Sequence, residues 1–500
     1  MSSKRKTQNS KLKTHSGADK LDRQRLQKLS ALREAGVDPY GGRYEAVEPA
    51  AAVRERFRDD DDTQRAGCAG RIVLLRDIGK LIFITLRDSS GTIQIGLSKT
   101  LLGERWQVAK LLELGDIIGA SGQLGRTKTG EITIWVAADG LTFLSKCLRQ
   151  PPEKFHGLAD VDQRYRQRYV DLWANPEVME RFKTRSAIIA AIRQRLTSNG
   201  FLEVETPMMQ TIAGGAAAKP FITHHNSLDM DLFLRISPEL FLKRLLVGGM
   251  ERVFEVNRNF RNEGLSRQHN PEFTMLEVYQ AYADYNVMMD LTEELTGLCV
   301  ERFCRSEQVQ FGDIMIDFAR PWRRATYAEL LKEYAGCDID DIQAVRAKAK
   351  ELEIEQTNMD DVVVVNGVFE AAVEDNLISP TFVIDYPAPL CPLTKRKASD
   401  PRYAERFELF IAGMELANAY TELNDPAVQE ENFRIQLRGQ QESMATMDSD
   451  FIAALRYGMP PAGGLGIGID RLVMVLTGAS TIRDVVLFPL LRSISTGDGA

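Results

Sequence analysis

Residues 252–279 contain two alternating segments on either side of a loop, and this pattern restricts the fold more than any other stretch of the chain. In RVFEVNRNF every second residue is polar, which predicts a β-strand with two different faces. The loop GLSRQHNPE contains Gly264 and Pro271, which interrupt regular structure. The segment FTMLEVY alternates again. The sequence therefore predicts an antiparallel hairpin with a long loop.

One face of this hairpin combines charged side chains with aromatic rings. The first strand is expected to turn Phe254, Val256 and Phe260 to one side, and the opposite side carries Glu255, Asn257, Asn259, Arg261 and Glu263. If the polar faces of the two strands coincide, one cleft is lined by Arg261, Glu263, Phe273, Glu277 and Tyr279. A solvated amphipathic hairpin is the alternative, but it gives no reason to place Phe273 and Tyr279 among carboxylates. The pattern favours a ligand-binding cleft.

Length and composition exclude several classes of protein. A chain of 500 residues is too long for one hydrophobic core, so we expect about two to four domains. The formal net charge of −7 is ordinary for a soluble protein, and the 6 cysteines form neither a CxxC pair nor a zinc-site pattern. No apolar run resembles a secretion signal or a membrane span. The sequence therefore predicts a cytoplasmic protein with reduced thiols.

Two segments precede the first compact module. Residues 1–19 are polar and basic and are predicted to be a disordered arm, which is either a solubilising tail or a nucleic-acid contact. Residues 20–64 are predicted to be a helix followed by a linker. The helix is expected to stop at Gly36 and to present a stripe of Leu21, Leu26, Leu29 and Leu32.

Residues 65–149 contain five short strand-like segments with a helical segment after the third. This order is that of an OB-fold, a β-barrel whose outer face binds oligonucleotides. Aromatic stacking combined with amide hydrogen bonds is a common way to read unpaired bases. Phe83 taken alone also fits a core position. The candidate base-reading residues are Arg71, Arg76, Phe83 and Gln94.

Residues 150–500 are predicted to form a second domain that includes the hairpin. Near its start, a helix with Ile188, Ile189, Ile192 and Leu196 on one side is expected to end at Asn199 and Gly200. A short strand then runs to Pro207.

A late segment, GGLGIGIDRL, alternates glycine with apolar residues. Glycine on one face of a strand allows a ligand to approach the backbone closely. Asp470 is the predicted N-cap of the helix that follows, which would place Arg471 in the first turn beside the glycines.

Three of these features resemble the three motifs of the class II aminoacyl-tRNA synthetases. They are the helix and strand ending at Pro207, the FRNEG and HNPEF segments of the hairpin, and GLGIGIDRL. An OB module before such a domain is similar to the subclass that charges lysine, aspartate and asparagine. The segments GGAAAKPFITHHNSLDMDLFLRISPELFLKRLLVGG and GMELANAYTELNDP are similar to its lysine-specific members.

The resemblance implies a fold and a reaction. The fold would be α+β, with an anticodon-binding OB barrel followed by a catalytic domain whose mainly antiparallel sheet is flanked by helices. Two copies would form a homodimer through the helix and strand of the first motif. The reaction would join L-lysine to ATP as lysyl-adenylate, release pyrophosphate, and transfer lysine to the 3′ end of tRNA(Lys), with Mg²⁺ as cofactor.

The resemblance also implies roles for single residues. Arg261 and Arg471 would be catalytic, because they would stabilise charge around the α-phosphate. The ATP-binding residues would be Arg261, Glu263, His269, Asn270, Phe273, Glu415 and Arg471, with Glu408 and Glu415 holding Mg²⁺. The lysine-binding residues would be Gly215, Glu239, Arg261, Glu277, Tyr279, Asn418, Tyr420 and Glu422. No residue stands out as a general base.

Within this assignment, Phe273 would stack on adenine, and Glu277 and Glu422 would face the substrate ε-ammonium. Glu415 does not share strand parity with Asn418, Tyr420 and Glu422, so a β-bulge or a turn is expected to intervene. Cys391 stands where the resemblance leads us to expect serine.

Two rival functions are less consistent with the sequence. An aspartyl or asparaginyl enzyme would need a cation facing the substrate side chain, whereas Glu277 and Glu422 supply anions. A relative that lost activity, or one that lysylates a protein, would tend to lack the OB module or a ligand group.

Overall fold

The computed structural model describes residues 21–45, 47–151, 158–212, 214, 218–438 and 447–492. The predicted basic arm at 1–19 and the predicted lysine-binding residue Gly215 lie outside the described residues. The chain divides into two compact units, Met1–Gly157 and Leu158–Ala500. None of the described helices is long and apolar enough to cross a membrane.

The N-terminal unit contains a closed five-stranded barrel. Its strands are β1 Arg65–Asp77, β2 Leu81–Arg87, β3 Thr92–Ser98, β4 Ile117–Arg126 and β5 Ile132–Ser145, in the order β1-β2-β3-β5-β4. Its helices are α1 at 21–34, α2 Ala50–Arg56, α3 Lys99–Leu102 and α4 Trp106–Ala109. The predicted OB-fold barrel with a helical segment after the third strand is confirmed.

Strand alternation fills the barrel. In β2, Ile82, Ile84 and Leu86 are buried, whereas the residues between them are only partly buried. Close packing of β4 on β5 requires Gly122, because a Cβ there would lie 1.9 Å from the carbonyl oxygen of Trp135. The barrel therefore has an apolar interior and an outer face on which the side chains of β2 are partly exposed.

The leucine stripe predicted for α1 is wrong in part. Leu29 and Leu32 are buried as expected, but Leu21 and Leu26 are 41% and 49% exposed. The buried position one turn before Leu29 belongs to Arg25, whose Nη1 donates to the carbonyl oxygens of Leu114 (3.0 Å) and Cys147 (2.9 Å). These two backbone carbonyls need a hydrogen-bond donor, which explains a buried arginine at this position. Apolar periodicity does not predict such a residue.

The C-terminal unit is built on an eight-stranded sheet. The strands of this unit are β6 Leu202–Glu203, β7 Met209–Gln210, β8 Ile222–His225, β9 Met230–Leu234, β10 Arg252–Phe260, β11 Glu272–Ala281, β12 Gln308–Phe311, β13 Ile314–Asp317, β14 Arg323–Thr326, β15 Thr381–Pro387, β16 Tyr403–Ile411, β17 Met414–Thr421 and β18 Ala462–Gly468. The sheet order is β14-β15-β16-β17-β18-β11-β10-β6, with parallel pairing only at the two ends. The predicted hairpin is the antiparallel pair β10 and β11.

Helices cover both faces of this sheet. They are α5 Val161–Arg166, α6 Arg168–Ala174, α7 Pro176–Ser198, α8 Glu239–Val247, α9 Tyr285–Phe303, α10 Tyr327–Leu330, α11 Ile342–Glu351, α12 Asp361–Ala372, α13 Pro426–Arg438, α14 Ser449–Arg456 and α15 Ile469–Thr477. On one face, α7, α9 and α15 form a continuous apolar core with the sheet. On the other face, two separate clusters lie under α10–α12 and under α8 and α14. The mainly antiparallel sheet flanked by helices is confirmed.

Two predicted helix ends have different outcomes. Helix α7 ends at Ser198 with Asn199 as its C-cap, and Gly200 adopts φ +82°, as expected for a glycine stop. The prediction that Asp470 is an N-cap is wrong, because α15 begins at Ile469 with Gly468 as its N-cap. Asp470 is buried in the first turn, where it accepts from the backbone N–H of Thr274 and pairs with Arg185.

Candidate active site

The site is built from rows of residues that run across β11, β18, β17 and β16. In one row Glu277 pairs with Gly466, Gly466 with Asn418, and Asn418 with Glu408. In the next row Tyr279, Gly464, Tyr420 and Arg406 are neighbours in the same way. Strand alternation places both rows on the face opposite the continuous core, because Leu276, Val278 and Leu465 belong to that core.

The glycines of β18 make room for the side chains beside them. A Cβ on Gly464 would lie 1.9 Å from Oε1 of Glu422 and 2.6 Å from the Tyr279 ring. On Gly466 it would lie 3.0 Å from the Met275 methyl group. We call this bare face of β18, at Gly464 and Gly466, the glycine floor. The side chains of neighbouring residues pack directly against its backbone.

Three buried carboxylates converge beside this floor. Glu239, Glu277 and Glu422 are each at most 5% exposed. Nζ of the fully buried Lys243 lies 2.6 Å from Oε1 of Glu239 and also contacts Glu422. Although burial opposes its charge, Glu239 and Glu422 raise the pKa of Lys243 above its ordinary value, so it is an ammonium. We call the cluster of Glu239, Lys243, Glu277 and Glu422 the acidic pocket.

Glu277 lacks a cationic partner among the described residues. The Ser237 hydroxyl donates to its Oε1 (2.9 Å) and the Tyr279 hydroxyl to its Oε2 (3.3 Å). Burial, reinforced by the charge of Glu239, raises the pKa of Glu277 to about 8. Its carboxyl is therefore protonated near neutral pH until a cation enters.

Glu422 is also incompletely satisfied. Within the described part of the chain the Lys243 ammonium contacts its Oε2, whereas its Oε1 has no hydrogen-bond partner. A buried carboxylate in this state is costly unless a ligand supplies donors. The acidic pocket is suited to a ligand that carries ammonium groups.

A second group of predicted residues lies where the hairpin loop begins. The guanidinium of Arg261 lies over the Phe273 ring, 5.1 Å from its centroid. The buried Nε of Arg261 has no hydrogen-bond partner among the described residues. Asn270 is nearly buried and donates to the carbonyl oxygen of Glu272, while Glu263 is exposed. An aromatic face and an unsatisfied forked cation therefore lie together.

A cavity of about 430 Å³ brings together further predicted residues, His269, Glu408, Glu415 and Arg471. Nη2 of Arg471 lies 3.1 Å from Nε2 of His269, and Nη1 donates to the backbone carbonyl of Glu415. Burial and the Arg471 charge lower the pKa of His269, so its imidazole is neutral at neutral pH.

The interruption predicted from strand parity, a bulge or a turn, is present, and it is a β-bulge. Leu409 pairs with Ala417, but the next residue, Phe410, pairs with Glu415, so one residue of β17 is extra. The bulge turns Glu415 to the same face as Asn418 and Tyr420.

Carboxylates accumulate on the wall of this cavity. Tyr386 donates to Glu408 (2.7 Å), which also pairs with Arg406, and Glu374 lies nearby. Burial and the charge of Glu408 raise the pKa of Glu374 to about 8. No described group of three or more His, Cys, Asp or Glu side chains is arranged to hold a metal by itself. Glu408 and Glu415 supply carboxylate oxygens, which are the kind of ligand that Mg²⁺ prefers.

On the barrel of the N-terminal unit, the predicted base-reading residues lie on one outer face. Phe83 pairs with Gly96 across β2 and β3, and Arg76 lies opposite Phe83 on β1. Gln94 accepts from the Thr133 hydroxyl (2.8 Å). Arg71 lies further along β1 and donates to the Gly115 carbonyl (2.8 Å), so part of its donor capacity serves the fold.

Trp135 adds a ring that we did not predict. It lies on β5 beside Gly96, and its ring is 5.8 Å from the Phe83 ring in an edge-on arrangement. The sequence predicted that Trp135 lies in a strand. It did not predict the parallel pairing of β5 with β3, which places the Trp135 ring beside Phe83.

Sequence reasoning also missed Ser237, Lys243 and Arg406. Lys243 follows Glu239 by four residues on α8, which is the spacing of a helical ion pair, so part of its environment could have been predicted. Its contact with Glu422 depends on tertiary packing.

Comparison with known proteins agrees with this geometry. Residues 160–492 match the family of tRNA synthetases class II (D, K and N), and residues 68–138 match the OB-fold nucleic acid binding domain. The lysine–tRNA ligase of Carboxydothermus hydrogenoformans is 52% identical over 487 residues, which are 96% of this chain and 99% of that protein. The chain belongs to the lysine–tRNA ligase family of class II tRNA synthetases.

Other relatives carry the same name. The lysine–tRNA ligase of Pelotomaculum thermopropionicum is 51% identical over 98% of this chain and 99% of its own length. That of Bacillus thuringiensis is 47% identical, with coverage of 94% and 96%. The resemblance to lysine-specific class II synthetases is therefore confirmed, and membership of the lysine–tRNA ligase family disfavours the aspartyl and asparaginyl alternatives.

The glycine floor of this lysine–tRNA ligase family member predicts different effects for two alanine substitutions. Gly464→Ala should lower the free energy of unfolding by about 1–3 kcal/mol, because the new methyl group displaces Glu422 or Tyr279. Gly468→Ala is the control, since its nearest neighbour would be at 3.6 Å, an ordinary contact distance. Urea unfolding measures both. Equal stability of the two variants would contradict this packing.

Proposed function

We propose that this chain is an ATP-dependent lysine–tRNA ligase that acts in the cytoplasm during translation. It activates L-lysine to lysyl-adenylate with release of pyrophosphate and then transfers lysine to the 3′ end of tRNA(Lys). The observation that carries this proposal is the acidic pocket, in which buried carboxylates lack sufficient cationic partners within the described chain.

Lysine binds with its side chain in the acidic pocket. Glu277 and Glu422 face the ε-ammonium, with Tyr279, Asn418 and Tyr420 beside them. Glu239 and the backbone at Gly215 hold the α-ammonium. The lysine carboxylate turns to Arg261, whose unsatisfied Nε supports this role.

ATP binds over the hairpin and the neighbouring cavity. Phe273 stacks on adenine, Arg471 covers its other face, and Glu263 and Asn270 contact the nucleotide. His269 and Arg471 line the cavity together with Glu408 and Glu415, which supports binding of the phosphates there. Glu408 and Glu415 would hold Mg²⁺, which would supply positive charge to offset the charge of the phosphates.

The reaction needs no covalent enzyme intermediate. A carboxylate oxygen of lysine attacks the α-phosphorus, a new P–O bond forms, and the bond to pyrophosphate breaks. A terminal ribose hydroxyl of tRNA then attacks the lysyl carbonyl and AMP leaves. Arg261 and Arg471 act by orienting the reactants and by stabilising the charge that develops at the α-phosphate.

The barrel binds the anticodon of the tRNA. The active enzyme is a homodimer of two copies of the chain. Stacking of unpaired bases on Phe83, with Arg76, Arg71 and Gln94 nearby, is supported by their shared outer face. Leu202, Met209 and Ile222 are 54%, 57% and 52% exposed, which supports a homodimer interface around the edge strand β6. The basic arm at 1–19 keeps its two interpretations, solubilising tail or nucleic-acid contact.

The test of the proposal is ATP–pyrophosphate exchange with each amino acid, followed by charging of tRNA(Lys). Exchange that depends on lysine, together with charging of tRNA(Lys), is the expected result. Exchange without charging would indicate a relative with another acceptor, and absence of exchange with lysine would contradict the proposal.

Substitution of either proposed ammonium-binding carboxylate should impair the use of lysine. Glu277→Gln and Glu422→Gln should each raise the lysine KM by roughly 30-fold or more, since a buried charge that loses its partner costs about 2–5 kcal/mol. The ATP KM should change little. Because Glu277 has no cationic partner among the described residues, Glu277→Gln should keep the melting temperature, whereas Glu422→Gln should lower it.

Asp171→Asn is the matched control for these two variants. Asp171 is a fully buried carboxylate in α6 that pairs with Arg168 and Arg164, away from the proposed site. The control should lower the melting temperature without a selective effect on lysine. If all three variants behave like the control, Glu277 and Glu422 are structural residues.

The lysine KM should also depend on pH. Burial raises the pKa of both Glu277 and Glu422 to about 8 in the unliganded protein, so lysine must displace protons from the pocket at lower pH. The lysine KM should therefore fall as pH rises from about 6 towards 8, by at most about tenfold per unit for each displaced proton, and then level off. The ATP KM at each pH is the reference. A lysine KM that is constant over this range would contradict the assignment of Glu277.

The barrel variants should separate charging from activation. Phe83→Ala and Gln94→Ala should weaken charging of tRNA(Lys), by about 1–3 kcal/mol for a lost stack, with exchange almost unchanged. Trp135→Ala should behave like Phe83→Ala because the two rings lie on one face. Ile84→Ala, a substitution inside the barrel, is the control for general destabilisation. Equal losses in exchange and charging would show that these aromatic residues serve only the fold.

A further inference from the structure

Lys243 belongs to the acidic pocket but is not among the residues proposed to bind lysine or ATP. Helix α8 places it one turn after Glu239, with its Nζ 2.6 Å from Oε1 of Glu239 and in contact with Glu422. Its side chain is 0% exposed. Nζ also lies 5.4 Å from the centroid of the Tyr420 ring. Lys243 therefore links two carboxylates that come from different elements of the fold.

A second buried lysine shows what a purely structural arrangement looks like. In the barrel, Lys146 is 0% exposed and pairs with Glu113 and Asp116. Asp116 additionally accepts from the backbone N–H groups of Cys147 (2.9 Å) and Glu113 (2.8 Å), so its charge is well satisfied. Glu422 has no such hydrogen bonds from the described chain. The Lys243 cluster is incomplete in a way that the Lys146 cluster is not.

The charges around Lys243 can be counted. Arg235 pairs with the neighbouring Glu255, and Arg406 pairs with Glu408, so these pairs cancel. Burial raises the pKa of both Tyr279 and Tyr420 well above the ordinary value, so these hydroxyls stay neutral. Among the described residues, the groups that remain are Glu239, Glu277, Glu422 and Lys243. Burial raises the pKa of Glu422 to about 8, although the Lys243 charge opposes this shift. With every carboxyl ionised, their net charge is two negative units.

This net charge matches the proposed substrate. Lysine carries two ammonium groups, and its carboxylate is assigned to Arg261. Without Lys243 the pocket would present three negative charges to two positive ones, and a surplus buried charge is neutralised by taking up a proton.

We propose that Lys243 is a positioning residue for amino-acid recognition, which holds Glu239 and Glu422 as oriented carboxylates and leaves the pocket two negative charges for the two ammonium groups of lysine. This inference rests on the proposed function. It extends that function by giving Lys243 a role in selecting a substrate of this charge. Lys243 does not touch the reacting atoms.

The test compares three variants with the wild type by ATP–pyrophosphate exchange: Lys243→Met, Glu422→Gln and the double variant. Lys243→Met should raise the lysine KM by about tenfold at neutral pH and move its fall with pH to a higher pH, because one carboxyl keeps a proton. Glu422→Gln leaves one negative charge, and adding Lys243→Met restores two. The double variant should therefore use lysine about tenfold better than Glu422→Gln alone.

A merely structural Lys243 predicts that the double variant regains melting temperature relative to Glu422→Gln, because both partners of the buried ion pair are then neutral, but keeps the lysine KM of Glu422→Gln. A double variant that is no better than Glu422→Gln overturns the inference. If Lys243→Met alone does not fold, the comparison of the double variant with Glu422→Gln still decides, because the double variant replaces the buried ion pair by neutral side chains.

Lys146→Met is the matched control. It removes an equally buried lysine that bridges two carboxylates, so it should lower the melting temperature and leave the lysine KM and its pH profile unchanged. The wild-type protein distinguishes failure of the proposed function from failure of the role proposed for Lys243. A wild type without lysine-dependent exchange contradicts the proposed function, whereas an active wild type whose pH profile is shared by Lys243→Met contradicts only the role of Lys243.

Discussion

The arrangement of the site depends on the absence of side chains at Gly464 and Gly466 in the strand β18. A Cβ at Gly464 would occupy the position of the Glu422 carboxylate, so the acidic pocket exists only because this strand is bare on one face. The same strand pairs with β11 and β17, which carry Glu277 and Asn418. Its apolar residues, Leu465 and Ile467, hold the opposite face in the main core. One strand thus anchors the sheet and creates space for the site.

Ionising the buried carboxyl groups of the pocket is unfavourable, and a bound cation would reduce this free-energy cost. Burial raises the pKa of both Glu277 and Glu422 to about 8, and Oε1 of Glu422 has no hydrogen-bond partner within the described chain. Such groups destabilise the empty protein, because ionising a carboxyl in a low-dielectric site is unfavourable. The sign matters for stability: a raised carboxyl pKa means that the folded protein binds more protons than the unfolded chain, so this contribution falls as pH rises from about 4 to 8. In the proposed function lysine reverses the penalty.

Alternation in the sequence predicted the parts of the site that follow from local geometry. The hairpin, its two faces and the interruption of alternation in β17 were predicted because strand parity is strictly periodic. The contacts of Arg25 and Lys243, the first-turn position of Asp470 and the ring pair of Phe83 and Trp135 were not predicted. Each of these depends on an element distant in sequence, such as the carbonyl of Leu114 or the side chain of Glu422. Family resemblance supplied the roles of residues, which periodicity cannot assign.

We propose that the acidic pocket recognises the side-chain ammonium of lysine. The most direct measurement is the ratio of kcat/KM for lysine to that for norleucine, which has the same chain length without the ε-ammonium, in ATP–pyrophosphate exchange. The wild type should favour lysine on the order of 10⁴-fold, since norleucine leaves buried polar groups unpaired, and Glu277→Gln should reduce this ratio markedly. Comparable activation of both amino acids by the wild type, or an unchanged ratio in Glu277→Gln, would contradict the account.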